Sequence, residues 1–334
     1  MLDIEDFEAV FKKRPNEHPG FPAAVQEEIA RHRLRLGGKL FFDRLCELLQ
    51  LDIGRLYPPH SNKQIRALHS LITTSALPLH NKHCLLFYIL KDLSPSTHTD
   101  ADIATAFAAA VHLPTRYWTF LEGLWALDAL NWETAVGFLT HPSIIPTFPD
   151  EIMSALLEFM EKGKMEGEMM EDGLPMAYYS ATRPPLVREG VREAFVRYMT
   201  RRSVTETFYW IRARPDYEQR QLFEVMVLQT LERNGVTGLE ERADMVQELV
   251  GLPFNDDEEQ WFEDFLVEGL GRNCPGARDT VMVRRITTGR LREAVHDSGL
   301  RGKKLIDLDW DVLKDGLRRG LGPRVEVETP FVVS

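Results

Sequence analysis

The stretch that decides the fold reads FLEGLWALDALNWETAVGFLTHP, residues 120–142. The apolar side chains of its first half share one helical stripe, while Glu122 and Asp128 fall mostly outside that stripe. Asn131 can accept a hydrogen bond from the N–H groups that open a second helix, and Pro142 ends that helix because proline lacks a donor. Two helices this short cannot bury both aromatic faces alone. The stretch therefore predicts a helical hairpin covered by neighbouring hairpins.

The same kind of pattern recurs along the rest of the chain. Ser61 with Gln64, and Ser203 with Glu206, have the capping-box spacing that opens a helix. Asp256 is expected to cap a later helix of aromatic and acidic residues. No segment shows a convincing two-residue alternation with hairpin turns, and no fixed repeat period is visible. We therefore predict an all-α fold, an irregular α-helical solenoid of stacked helical hairpins.

Changes in composition divide the chain into five segments. An acidic, glycine-containing loop separates two helical lobes, because glycine and like charge weaken a packed helix. The predicted boundaries are 1–35 for an N-terminal helix and connector, 36–162 for the first lobe, 163–173 for the acidic loop, 174–273 for the second lobe, and 274–334 for a basic segment with a C-terminal helix and tail.

Composition and charge restrict the class of protein. The 334 residues are 44% hydrophobic, enough for one large or two ordinary domains. A net charge of −11 argues against broad attraction to phosphate backbones or anionic membranes. Three widely spaced cysteines argue against a disulfide framework and favour a reducing compartment. We expect neither an export signal nor a membrane-spanning segment, because the N-terminus is acidic and no apolar run approaches about 20 residues.

The chain offers few catalytic patterns. His80, His83 and Cys84 could supply soft ligands for zinc, and with Glu122 or Asp128 they would make a helical metal-dependent hydrolase. A tetrahedral site needs about four ligands, however, and no second cluster stands nearby. Packing and capping are the favoured roles for these residues. No HExxH, GxSxG or GxGxxG pattern is present, so no catalytic residue, metal or cofactor is predicted.

Residues 272–304 are locally basic and include Arg284 and Arg285. One interpretation is an adaptor that binds nucleic acid or an acidic protein through this segment. The other is a helix face that balances the acidic segment before it. Stacking aromatics are absent from the patch, which disfavours nucleic acid and favours a protein partner.

The C-terminal region reads IDLDWDVLKDGLRRGLGPR and predicts an amphipathic helix. Tryptophan and arginine are enriched in interface hot spots, and a terminal amphipathic helix fits readily into a partner's groove. Packing on the chain's own last hairpin is an equal alternative. The candidate partner-binding residues are Trp310, Leu313, Leu317, Arg318 and Arg319.

Four motifs together resemble the ELYS-type nuclear pore assembly domain. They span roughly residues 56–223 and consist of core aromatics and helix breakers, without reactive groups. The motifs are LYPP from Leu56, HNKHCLLFYILKD from His80, GLWALDALNWETAVGFLTHPS from Gly123 and SVTETFYWIR from Ser203.

The resemblance implies a structural nucleoporin that docks on the Y-shaped scaffold subcomplex of the nuclear pore, at the nuclear envelope, without catalysis. It also implies partners in the short arm of the Y: a propeller-plus-solenoid nucleoporin and, in fungal types, a small WD-repeat propeller. Animal members add an N-terminal propeller and a chromatin-binding tail with Gly-Arg-Pro hooks. Here only helical sequence precedes Leu56, and the Arg183-Pro184 pair follows Thr182 instead of glycine. The short, fungal type is therefore expected, with chromatin contact in doubt.

Overall fold

The computed structural model describes residues 2–11, 21–54, 56–93, 103–166, 173–232 and 239–296, together with five positions between 312 and 320. In these residues the chain forms α-helices, one 3₁₀ turn and no strand. The predicted all-α, solenoid-like fold class is confirmed. The helices are α1 Phe7–Phe11, α2 Ala23–Arg35, α3 Phe41–Leu48, α4 Asn62–Thr74, α5 Leu79–Leu93, α6 Ile103–Ala110, α7 Thr115–Asp128, α8 Trp132–Leu139, α9 Pro149–Glu166, α10 Leu174–Thr182, α11 Glu189–Thr200, α12 Val204–Arg212, α13 Asp216–Leu231, α14 Leu239–Gly251, α15 Asp256–Val267, α16 Ala277–Thr287 and α17 Leu291–His296, with the 3₁₀ turn Leu270–Asn273 between α15 and α16.

The chain divides into two compact units, one of residues 1–160 with 169–185 and one of residues 161–168 with 186–334. Helix α9 continues to Glu166, so the first positions of the predicted loop 163–173 are helical. Gly163 does not end the helix, because one glycine in a helix costs only about 1 kcal/mol relative to alanine. Residues 167–172 of that loop lie outside the described residues.

In the first unit, α7 is the central helix and contacts α2, α3, α5 and α8. Helix α5 packs against α4, α6 and α7, and its LLFYIL run, residues 85–90, is almost wholly shielded from solvent. The buried residues of α5 lie on every side of the helix, as expected of a helix buried between neighbours.

In the second unit, α13 occupies the equivalent central place. It contacts α11, α12, α14 and α15, while α16 packs on α14, α15 and α17. The core that these helices share contains Phe208, Phe223, Met226, Phe262 and Leu266, all nearly or fully buried. Neighbours in sequence are mostly neighbours in space, which is the pattern of stacked helices.

Local capping signals define several helix starts. The Ser61 hydroxyl accepts from the Gln64 N–H at 3.3 Å, and the Ser203 hydroxyl accepts from the Glu206 N–H at 3.1 Å, so both predicted caps are confirmed. Asn131 caps α8 in the same way. The prediction that Asp256 caps a later helix is wrong by one position.

Helix α15 is capped by Asn255, whose amide oxygen accepts from the Glu258 N–H at 2.8 Å. The Glu258 carboxylate in turn accepts from the Asn255 N–H at 2.8 Å, which completes a capping box. Asp256 is thus the first helical residue. It begins an acidic first turn, where the helix dipole favours negative charge.

None of the helices in the described ranges combines the length and the hydrophobicity needed to cross a lipid bilayer.

Candidate functional site

Residues from three of the four sequence motifs meet in a buried polar cluster in the first unit. We call it the carboxylate cluster and define it as Tyr57, Tyr88, Asp92, Trp125 and Asp128. Tyr57 comes from the loop before α4, the next two from α5 and the last two from α7. Its two tyrosines and two aspartates are each less than 10% exposed. The cluster joins two helices and a loop that are far apart in sequence.

Asp128 caps a helix that lies 86 residues earlier in the chain. Its carboxylate accepts from the N–H groups of Phe41 at 2.6 Å and Phe42 at 2.9 Å, and from the Tyr88 hydroxyl at 2.6 Å. Leu40, at the N-cap position of α3, has no side-chain oxygen to offer. Asp128 therefore supplies from α7 the acceptor that the start of α3 lacks, and its charge suits the positive end of the α3 dipole.

Asp92 makes the second half of the cluster. It accepts hydrogen bonds from the Tyr57 hydroxyl and, at 2.8 Å, from the Trp125 indole N–H. The Phe42 ring lies between the two tyrosines, with its centroid 4.4 Å from Tyr88 and 4.5 Å from Tyr57. The two carboxylates are thus enclosed by aromatic rings, and each acceptor is used by a donor from another element.

Burial dominates the ionisation of this cluster. It raises the pKa of Asp92 and of Asp128 to about 7 each, although the hydrogen bonds that each carboxylate accepts oppose the shift. Burial and the neighbouring carboxylates also hold the pKa values of Tyr57 and Tyr88 well above 10. Perturbed carboxyls often mark active sites. Here the two carboxylates cap a helix and accept hydrogen bonds between helices, and aromatic rings shield them from solvent.

Glu122 belongs to a second contact between α5 and α7. Its carboxylate lies 2.9 Å from the Lys91 ammonium and accepts from the Trp118 indole N–H at 3.1 Å. The Lys91 ammonium also lies 5.4 Å from the centre of the Trp125 ring. Glu122 and Asp128, the carboxylates of the hydrolase hypothesis, are therefore both engaged in contacts between helices.

The candidate zinc ligands have packing partners too. The His80 ring stacks on Tyr117 at a centroid distance of 5.3 Å, and His83 meets the Phe107 ring edge-on at 6.3 Å. Burial lowers the pKa of His83, and burial raises the pKa of the Cys84 thiol to about 12. In the part of the chain that the structure describes, no three side chains of histidine, cysteine, aspartate or glutamate lie close enough to hold a metal ion.

Gly123 marks the closest approach in the hairpin of α7 and α8. A Cβ atom added there would lie 2.6 Å from Cγ of Leu139 and 3.3 Å from Cβ of Phe138. Only a residue without a side chain allows this helix spacing. The glycine in the GLWALD motif is thus a packing requirement.

Three arginines of the basic segment, Arg284, Arg285 and Arg290, pair with glutamates of the acidic helix α15. Arg284 is 3% exposed and donates to the carbonyl of Val250 at 2.7 Å and to the Glu259 carboxylate at 3.0 Å. Arg285 is 7% exposed and makes a two-pronged contact with Glu263 at 3.0 and 2.6 Å. These arginines therefore balance an acidic helix, and they do not present a surface to nucleic acid. Arg301, Lys303 and Lys304 lie outside the described residues.

The predicted partner-binding residues Trp310, Leu313, Leu317 and Arg318 also lie outside the described residues. Arg319 is described; its side chain is 80% exposed and lies 2.6 Å from the Asp315 carboxylate. The C-terminal anchor stays a prediction.

The sequence analysis singled out Asp128 but did not single out Tyr57, Tyr88 or Asp92 as members of a polar cluster. Tyr57, Tyr88 and Asp92 stand inside the quoted LYPP and LLFYILKD motifs, as the aromatic and acidic members of otherwise apolar runs. A tyrosine and an aspartate on a helix buried on all sides must find hydrogen-bond partners. Polar residues on a wholly buried helix therefore indicated a hydrogen-bonded cluster, although the sequence does not show which residues they bond to.

A model of the ELYS family, described as nuclear pore complex assembly, matches residues 39–269, well over half of the chain. The chain belongs to the ELYS family. The match contains the whole carboxylate cluster and extends beyond the 56–223 span of the resemblance in both directions. The ELYS-family motifs thus correspond to the buried connections of the first unit and to helix α12 of the second.

A relative is the uncharacterized protein ely5 of Schizosaccharomyces pombe, which is 30% identical over 164 residues. The alignment covers 47% of this ELYS-family chain and 52% of the relative. The chain therefore spans about half the length of the curated relative that it matches.

Proposed function

We propose that this chain is a structural nucleoporin that acts in nuclear pore assembly by binding other proteins, without catalysis. The observation that carries the proposal is the ELYS-family match over residues 39–269. The site geometry supports it, because the titratable residues of the family motifs are used to hold helices together. In a chain organised in this way, we expect the surface to carry the function by binding other proteins.

The buried hydrogen-bond network of the first unit supports a docking role. The two carboxylates tie α3, α5, α7 and the loop before α4 by hydrogen bonds to backbone and side-chain donors. Groups held by such satisfied buried networks stay in one arrangement. A binding surface built on these helices loses little conformational entropy when a partner arrives.

We further propose the short arm of the Y-shaped scaffold subcomplex as the docking position, at the nuclear envelope. The partners would be the propeller-plus-solenoid nucleoporin and a small WD-repeat propeller. The C-terminal residues Trp310, Leu313, Leu317, Arg318 and Arg319 are the proposed anchor. The exposed Arg319 is the member of this set that the structure describes.

The test is gel filtration of the full chain with the purified short-arm subunits at micromolar concentration. Co-elution is expected, and its absence would count against the docking position. Deletion of residues 309–334 should weaken co-elution while the melting temperature stays nearly unchanged. A large fall in melting temperature would instead assign the tail to the core.

A matched pair of charge reversals separates a local anchor from general electrostatics. Arg319→Glu should weaken co-elution, whereas Arg220→Glu, on an exposed arginine of α13, should leave it unchanged. Equal effects of the two changes would argue against the C-terminal anchor.

A further inference from the structure

Residues 2–11 form a short segment that rests on helix α4, outside the family match. Their helix α1 has five residues, and a free helix this short is not stable in water. Local bonds help to shape the segment, since the Asp3 carboxylate accepts from the Glu5 N–H and the Asp6 carboxylate from the Glu8 N–H, both at 3.0 Å. Contacts with Arg66 and His69 of α4 add to these local bonds.

Those contacts are specific in pattern. The rings of Phe7 and Phe11 stack at 4.8 Å, and both meet the His69 ring nearly at right angles, at 5.4 and 5.9 Å. The Arg66 guanidinium lies 4.0 Å from the centre of the Phe7 ring and pairs with the Glu8 carboxylate. One helical turn of α4 thus contacts two aromatic residues and one acid.

Two further features fix the position of the segment. Nε2 of His69 lies 2.8 Å from the carbonyl oxygen of Ile4, a hydrogen bond between α4 and the backbone of the segment. Ile4 and Val10 are 7% and 3% exposed, so the segment buries its aliphatic side chains. Together these contacts depend on the spacing of the two phenylalanines, on the charge of Glu8 and on the position of the Ile4 carbonyl.

We propose that the face of α4 that carries Arg66 and His69 is a peptide-binding surface, and that residues 2–11 are its tethered, exchangeable occupant. The ligand class is a short helix with two aromatic residues four positions apart and an acid directly after the first. In this chain the sequence FEAVF, Phe7–Phe11, has that pattern.

The exposure of the ion pair and the place of the segment near the start of the chain support exchange. The Arg66 and Glu8 side chains are 46% and 42% exposed, and exposed pairs of this kind contribute only about 0.2–1 kcal/mol. Nine residues, 12–20, connect the segment to the chain. Because the segment belongs to the same chain, its binding is intramolecular, which keeps even a weak contact occupied. A tighter ligand of the same pattern can then displace it.

The first experiment empties the surface and refills it in trans. The full chain carrying Phe7→Ala and Phe11→Ala is titrated into a fluorescent peptide of residues 1–12, and anisotropy is measured. The variant should bind the peptide at least about tenfold more tightly than the wild-type chain, whose surface is already occupied by a tethered competitor. Adding Arg66→Glu should weaken this binding several-fold, whereas Lys63→Glu, on an exposed lysine of the same helix, should leave it unchanged.

The second experiment tests the segment in place by a charge exchange. Hydrogen exchange at the Val10 amide should speed up in Glu8→Arg and in Arg66→Glu, and slow again when the two changes are combined. The amides of residues 85–90 report on the fold and should keep their protection in all three variants.

Three results would overturn the proposal. The first is an emptied variant that does not bind the peptide, or that binds it equally well with Arg66→Glu. The second is a loss of protection at residues 85–90 together with Val10, which would make the segment part of the core. Finally, a wild-type dimer that exchanges residues 2–11 between copies would replace the tethered occupant with a second chain.

Discussion

Replacing Asp128 with alanine tests the central structural idea, that a carboxylate from α7 completes helix α3. The change removes the acceptor of three buried donors: the N–H groups of Phe41 and Phe42 and the hydroxyl of Tyr88. Each buried donor left without a partner costs about 1–3 kcal/mol. Water entry and rotation of the hydroxyl reduce the sum, so we expect a loss of about 3–5 kcal/mol in the free energy of unfolding.

The size of this loss can be compared with the total stability of a domain, about 5–15 kcal/mol. Because the chain has two units, a single denaturation curve does not isolate the effect. Native-state hydrogen exchange of the α3 and α5 amides measures the free energy of opening in the first unit alone. Glu133→Ala, an exposed acid in the first turn of α8, is the matched control and should cost less than about 1 kcal/mol. A loss below about 1 kcal/mol for Asp128→Ala, with α3 exchange unchanged, would refute the capping argument.

Three more changes test other contacts. Gly123→Ala should destabilise the first unit by about 1–3 kcal/mol, because the new methyl group meets Leu139, whereas Gly137→Ala, with open space around it, should be neutral or stabilising; the opening free energies of first-unit amides in native-state hydrogen exchange check both. Arg284→Ala should lower the stability of the second unit by about 3–5 kcal/mol, since buried carbonyls and a carboxylate lose their donor, while the exposed Arg278→Ala should cost less than about 0.5 kcal/mol; the opening free energies of second-unit amides check this pair. The carboxylate cluster predicts a pH dependence: the folded-state pKa values of Asp92 and Asp128 are raised to about 7, so the stabilisation that comes from their protonation in the folded state is complete below about pH 4 and is lost as the pH rises through 7. Opening free energies of the first unit at pH 5 and pH 8 check this, and an increase with pH would contradict it.

Local signals in the sequence predicted the helices well. Ser61, Asn131 and Ser203 cap helices that begin directly after them, because the backbone N–H groups that their side-chain oxygens accept from lie only three residues away. The Asp256 cap failed because several neighbouring polar residues can cap a helix equally well. Asn255, directly before the run of acids, takes that position instead.

Distant partners could not be predicted in the same way. The residue type of Asp128 shows a polar group on a buried helix, but only the packing of α3 on α7 shows which donors it meets. The basic segment presents the same difficulty, since a run of arginines has one appearance in sequence whether it faces solvent or a row of glutamates. The position of α15 determines that Arg284 and Arg285 pair with glutamates.

The distance along the chain between a helix start and its cap affects how the protein can fold during synthesis. The acceptor for the Phe41 N–H lies 87 residues further on. At a translation rate of about 5–20 residues per second, α3 leaves the ribosome roughly 4–17 seconds before its acceptor exists. Through that interval the nascent helix has an incomplete first turn. The first unit therefore cannot complete its native hydrogen bonds until Asp128 of α7 has been synthesised.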